Sequence, residues 1–298
     1  MHEEMKKYLV GSLVIDTAVV AANIIEQYLL LKNWKSLHHL EKLLISLSLS
    51  DLLFGVFTIG LDALFLYLLF QQGDMGNAEA WVILILEASV LLTILISIFH
   101  VFVITIERLI VICRPASLDR ASSPSIKKVI ALGLWLIPLT FIVAFSVARS
   151  QIDIVSVERL VIAGIFSVVM LFVTLAYIVL ILYMCFRNKK ASGEGNTFEI
   201  ARMAHTRRAT FICILLSIAF VVCIGPITMG YFDDRLYHHM ANILVNCNAL
   251  VNPIVYIIWH CVENCRRKKL GQKSSIQGIA VGEAEQSILF TGVHQQDA

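Results

Sequence analysis

Four oxygen-bearing side chains, Asp51, Ser97, Asn248 and Asn252, sit in stretches that are otherwise almost wholly apolar. A charged aspartate in the middle of a membrane costs at least about 2.5–3.5 kcal/mol, so Asp51 has to face a partner or a wet cavity. Asn248 and Asn252 are four residues apart and share one face of a helix. Ser97 lies 11 residues, three helical turns, before Arg108. If the helices bearing them adjoin, the four converge as an oxygen-rich cluster suited to a hard cation such as sodium. The alternative is a water-filled polar network around a protonated Asp51. A second constellation is Glu107 with Arg108, at the end of an apolar run. A guanidinium beside a carboxylate is a breakable ion pair, or else an arginine snorkelling to an interface. No nucleophile–base arrangement or metal-ligand spacing points to an enzyme.

The elements that must position these residues follow from composition. Apolar residues make up 58% of the 298 and charged residues 15%, against about 45–50% and about 25% in soluble domains. Mean hydropathy is +0.79. These values exclude an ordinary soluble enzyme, and a net charge of only +2 gives no basic field for nucleic acid. Five stretches, 88–106, 129–148, 160–186, 209–232 and 236–262, contain no Asp, Glu, Lys or Arg. Two more, 9–31 and 43–70, are interrupted only by acids: Asp16 and Glu26 in the first, Asp51 and Asp62 in the second. Each is long enough to cross a hydrocarbon core of about 30 Å as a helix, and too uniformly apolar for the alternating strands of a barrel. The expected fold is therefore an all-α membrane protein, a bundle of seven transmembrane helices.

Orientation follows from the basic residues. With the N-terminus outside, 19 of the 24 Lys and Arg fall on the cytoplasmic side, as the positive-inside rule requires. Residues 1–8 are then an extracellular N-terminus, 9–260 the bundle, 261–270 a short amphipathic helix on the cytoplasmic membrane surface, and 271–298 a disordered tail. The surface helix carries Arg266, Arg267, Lys268 and Lys269 for anionic lipid headgroups. Cys261 and Cys265 are juxtamembrane and are palmitoylation candidates.

Several short patterns occupy matching places on these helices: Asn23 in helix 1, the run Leu47-Ser48-Leu49-Ser50-Asp51 in helix 2, Glu107-Arg108-Leu109 in helix 3 and Trp135 in helix 4. Helix 6 has Phe220 with Cys223-Ile224-Gly225-Pro226, and helix 7 has Asn252-Pro253-Ile254-Val255-Tyr256. Together they resemble the rhodopsin-like (class A) G-protein-coupled receptors over residues 8–270. The resemblance implies a plasma-membrane receptor that turns ligand binding outside into activation of a heterotrimeric G protein inside. It also implies an inactive-state sodium ion at Asp51, Ser97, Asn248 and Asn252. Arg108 would be released from Glu107 to meet Tyr177, Tyr256 or the G protein when helix 6 moves. Pro226 and Pro253 would be the helix pivots, and Ile98 and Phe220 the apolar part of the relay between ligand and switch. Three departures stand out. Ile224 replaces the usual tryptophan, Val169 the usual helix 5 proline, and the start of helix 6 has no acid, leaving Thr206 or Thr210 as the restraint on Arg108.

The outer ends concern the ligand. Val90 stands where amine receptors carry an ammonium-binding aspartate, and no lysine in helix 7 offers a retinal attachment point. The remaining polar groups are acidic. Asp62 is three turns outward of Asp51 and Glu87 one turn before Val90, so these two are expected to face each other across a pocket. With the missing helix 3 cysteine and the short second outer loop, this resembles the melanocortin, cannabinoid and adenosine receptors, the first of which hold calcium and a basic peptide between such acids. The ligand expected is a basic peptide or a lipid, with a merely solvated acidic rim as the alternative. His238 and His239, at the outer start of helix 7, are expected to be solvated, and His100 to be a hydrogen-bonded packing residue. Two other classes remain open: a seven-helix partner or decoy that does not engage a G protein, and a small transporter, though the repeated halves of a transporter are not seen.

Overall fold

The computed structural model describes residues 2–32, 39–71, 76–113, 124–149, 155–194, 210–211, 213–225, 243–262 and 265. They form seven helices: α1 His2–Leu31, α2 His39–Gln71, α3 Asn77–Cys113, α4 Pro124–Arg149, α5 Val155–Glu194, α6 Cys213–Gly225 and α7 Ile243–Val262. No strand occurs among the described residues. Five of the helices, α1, α2, α3, α5 and α7, are long and apolar enough to cross a membrane, while the apolar parts of α4 and α6, Lys128–Ala144 and Cys213–Gly225, are shorter. The protein is an all-α membrane protein, a seven-helix bundle as the apolar runs predict. Pro226, Thr206, His238, His239, the acids Asp153, Asp233 and Asp234, and residues 266–298 lie outside the described residues.

Residues 1–255 form one compact unit and 256–298 a second. Within the first, α1 packs along α2, α2 along α3, and α3 touches both α4 and α5. In the second, the Tyr256 ring packs against Trp259 at 5.7 Å and stacks on His260 at 6.0 Å.

The buried faces mix apolar and polar side chains, and the exposed faces carry many large apolar ones. On α1 the buried residues are Leu9, Ser12, Asp16, Val19, Asn23, Glu26 and Leu30, spaced alternately by three and four. That spacing is one continuous stripe along a helix packed nearly parallel to its neighbour. Val10, Val14, Ile24 and Tyr28 point the other way and are exposed, which suits a lipid-facing surface. Because lipid tails are as apolar as leucine, association here rests on close packing and hydrogen bonds rather than on hydrophobic burial. Gly55 supplies the close packing: a Cβ there would meet Val20 Cγ2 at 2.9 Å and Val19 Cγ1 at 3.2 Å.

Asn23 supplies the hydrogen bonds. Pro253 has no N–H to give to the carbonyl four residues earlier, and that carbonyl belongs to Ala249. The Asn23 amide nitrogen donates to it at 3.2 Å and also to the Val19 carbonyl at 2.9 Å, while Ser48 donates to the Asn23 side-chain oxygen at 3.1 Å. One amide therefore ties α1, α2 and α7 together and satisfies the carbonyl stranded by the proline. Asn23→Leu leaves that carbonyl bare in a region without water. It is expected to cost about 1–3 kcal/mol and to lower both surface expression and the thermal midpoint; unchanged values of both would refute the assignment.

A second polar chain joins α2, α3 and α4. Trp135 Nε1 donates to the Ser46 hydroxyl at 3.0 Å, and Ser46 is 2.8 Å from His100 Nε2. His100 Nδ1 is 2.8 Å from the Ile96 carbonyl. A carbonyl only accepts, so Nδ1 carries the proton and Nε2 accepts from Ser46. The tryptophan packs edge-on against the imidazole. His100 is thus a hydrogen-bonded packing residue, as its surroundings in the sequence suggest.

Candidate functional site

Asp51 projects from the middle of α2 and is 2% exposed. Ser97 of α3 donates to its Oδ1 at 2.7 Å and the Asn252 amide nitrogen of α7 donates to its Oδ2 at 2.7 Å. Ser50 extends the network, 2.9 Å from Ser97. A cavity of about 10 Å³ opens on the group, lined among others by Asp51, Ser97, Asn248, Phe220 and Ile224. That is about the space of one water-sized particle. Asn248 is buried and its side-chain oxygen has no hydrogen-bond partner.

The four residues named from spacing therefore meet, with unequal roles. Asp51, Ser97 and the unpaired oxygen of Asn248 are the donors a hard cation would take. Asn252 turns its nitrogen, not its oxygen, toward Asp51 and so orients the carboxylate. Ile98 and Phe220 are both 1% exposed and line the same cavity. Ile224, also 1% exposed, fills the wall where a tryptophan is usual in the resembled family.

Glu26 of α1 adds a second acid that spacing alone did not connect to this centre. It is 2% exposed, is close enough to Asp51 for their charges to repel, and lies beside Ser48. It lies inside the bundle and not among the inner-side lysines where a lone acid near a helix end is expected to go.

At the inner end of α3, Arg108 is buried and Glu107 half-buried. The Arg108 guanidinium lies beside the Cys213 sulfur of α6 and near Tyr177 of α5. The Tyr177 hydroxyl is buried beside Thr105, Ser217 and Cys213 but makes no close hydrogen bond. Thr210, one of the two hydroxyls expected to restrain Arg108, is fully buried. Cys213 was missed in the sequence because a cysteine in an apolar run reads as a small core residue. Its position at the start of α6, facing a buried guanidinium, makes it a contact from that helix.

The outer residues do not pair as spacing suggests. Glu87 is exposed on α3. Val90 packs against the apolar cluster of Val19, Phe54 and Ala249. Asp62 turns toward α1, where it meets Ser12 and Asp16. The reason is rotational: α2 and α1 are in contact along their length, so the inward side of α2 at Asp62 is the α1 side. Cys261 and Cys265 are free and exposed.

A buried carboxylate bonded from α3 and α7, a buried arginine at the inner end of α3, and an asparagine on the carbonyl freed by the α7 proline are the polar groups that the bundle encloses. The family model of the 7 transmembrane receptor (rhodopsin family) matches residues 22–256. The chain belongs to this family. A search among curated proteins finds no match. Membership makes the molecule a membrane receptor of the G-protein-coupled kind, with heterotrimeric G proteins as its general class of partner. The matched span contains the Asp51 and Arg108 groups and ends on Tyr256.

Proposed function

We propose that the receptor works at the plasma membrane, where an extracellular ligand, a basic peptide or a lipid, shifts the bundle between two states. The active state would drive nucleotide exchange on a heterotrimeric G protein. Sodium would bind at Asp51, Ser97 and Asn248 as an allosteric ligand favouring the inactive state. The observation that carries this reading is the buried guanidinium of Arg108, set beside Cys213 of α6. A ligand needs only to bind one arrangement better than the other to move such an equilibrium. Acids at the outer face support a cationic ligand, with Asp62 inside the bundle and Glu87 on its surface. The exposed Cys261 and Cys265 support palmitoylation at the inner surface.

A second reading is a seven-helix protein that binds ligand or pairs with another receptor without engaging a G protein. It is favoured by Ile224, whose small side chain occupies the relay position beside the Asp51 cavity. A basal nucleotide-exchange assay over a panel of G proteins separates the two. The signalling receptor is expected to accelerate exchange on at least one of them. Because a thiol is a weak hydrogen-bonding group, Cys213→Ala is expected to raise that basal rate further by loosening Arg108. Exchange absent on every G protein, with normal surface expression, would favour the second reading.

A further inference from the structure

Two acids stand apart from the Asp51 group, in the outer halves of α1 and α2. Asp16 is 0% exposed, and neither of its carboxyl oxygens has a hydrogen-bond partner. The charge it faces is another carboxylate, that of Asp62. The Ser12 hydroxyl of α1 lies beside Asp62, whose Oδ2 is buried without a partner. Thr58 lies beside Asp16, but its hydroxyl donates to the main-chain oxygens of Phe54 at 3.0 Å and Gly55 at 3.1 Å. Its single proton is already used, and only oxygen lone pairs remain for the space between the acids. Asp62 is 11 residues from Asp51, about 16 Å along the helix, so this is a separate place in the bundle.

Two facing carboxylates, one sealed and one half-buried, with three buried unpaired oxygens between them, call for positive charge, whether from a proton or a cation. The polar groups beside them are all oxygens: the carboxyls themselves and the hydroxyls of Ser12 and Thr58. That is the donor chemistry of hard cations, and two negative charges match a divalent ion. Among the described residues no group of three or more His, Cys, Asp or Glu surrounds a point. The charge thus comes from the pair, and hydroxyls and water complete the shell. Calcium tolerates such an irregular shell, whereas magnesium demands near-ideal octahedral geometry. Asp16 is sealed and Asp62 only half-buried, so the way in passes Asp62.

We propose that Asp16 and Asp62, with the hydroxyls of Ser12 and Thr58, form a calcium site that ties α1 to α2 in the outer half of the bundle. It is independent of G-protein coupling and of the Asp51 cluster. Its test is thermal unfolding of the purified full-length receptor in lipid nanodiscs, without added ligand, titrated with calcium chloride at constant ionic strength. A site with two carboxylates open to the outside is expected to respond at about 0.1–1 mM, the range of extracellular calcium modules. The wild type is expected to gain several degrees in midpoint. Asp16→Asn and Asp62→Asn are each expected to lose that gain, and Asp51→Asn to keep it. Ser12→Ala keeps both acids and serves if the Asn variants do not fold; it is expected to raise the half-effective calcium concentration several-fold. No calcium response in the wild type would overturn the proposal. So would a response that survives both Asn variants, an unshifted midpoint concentration in Ser12→Ala, or stabilisation by acidification alone, which would mean that the pair simply shares a proton.

Discussion

Arg108→Ala is expected to abolish activation of the G protein while leaving surface expression near normal. The guanidinium is buried beside Cys213 on α6, with Tyr177 of α5 close by. Side chains of both α5 and α6 thus face this one group. A coupling of about 1–3 kcal/mol through it shifts a two-state switch by roughly 5- to 150-fold. Losing the contacts of both states removes the discrimination altogether. Arg108→Lys keeps the charge but not the planar fork of donors, and is expected to retain only part of the response. The measurement is nucleotide exchange per receptor at the surface, and undiminished exchange in Arg108→Ala would sink the switch assignment.

Asp51→Asn is expected to make the receptor blind to sodium. The substitution keeps the shape of the side chain and removes only its charge. In the wild type, sodium is expected to suppress basal exchange by roughly 5- to 150-fold at most, the span of coupling energies of 1–3 kcal/mol. In the variant, sodium and choline chloride are expected to give the same rate at equal ionic strength. A sodium effect that persists in Asp51→Asn would refute the cluster as the binding place. A complementary variant is Asn248→Leu, which removes the unpaired oxygen at the cavity but not the charge. It is expected to weaken sodium without abolishing its effect.

What was readable in the sequence was whatever one helix fixes by itself. Spacings of four and eleven residues place Asn248 with Asn252 and Ser97 with Arg108 on definite faces, and these faces meet as read. The seven runs, and a proline that frees one carbonyl, are also local facts. The partners across helices were not readable. Whether Asp62 meets Glu87 or Asp16 depends on how α2 is turned against α1 and α3, and no local spacing encodes that rotation. Glu87 and Val90 are three apart, which sets them about 60° from each other around α3, enough for one to be exposed and the other to pack in the core. Cys213 and Ser46 escaped notice for a different reason. Small polar side chains in apolar runs mean nothing until the buried donor or acceptor opposite them is seen.

The buried stripe of α1 bears on how the molecule is made. Four of its seven members, Ser12, Asp16, Asn23 and Glu26, are polar. A lone acid at the centre of a membrane helix costs about 2.5–3.5 kcal/mol on insertion scales, and α1 carries two. As a solitary span α1 is a poor guest in lipid, because the Ser48 hydroxyl that donates to Asn23 and the groove at Gly55 arrive only with α2. During synthesis the first stable species in the bilayer is therefore the α1–α2 hairpin, and release of α1 from the insertion machinery has to wait for its neighbour.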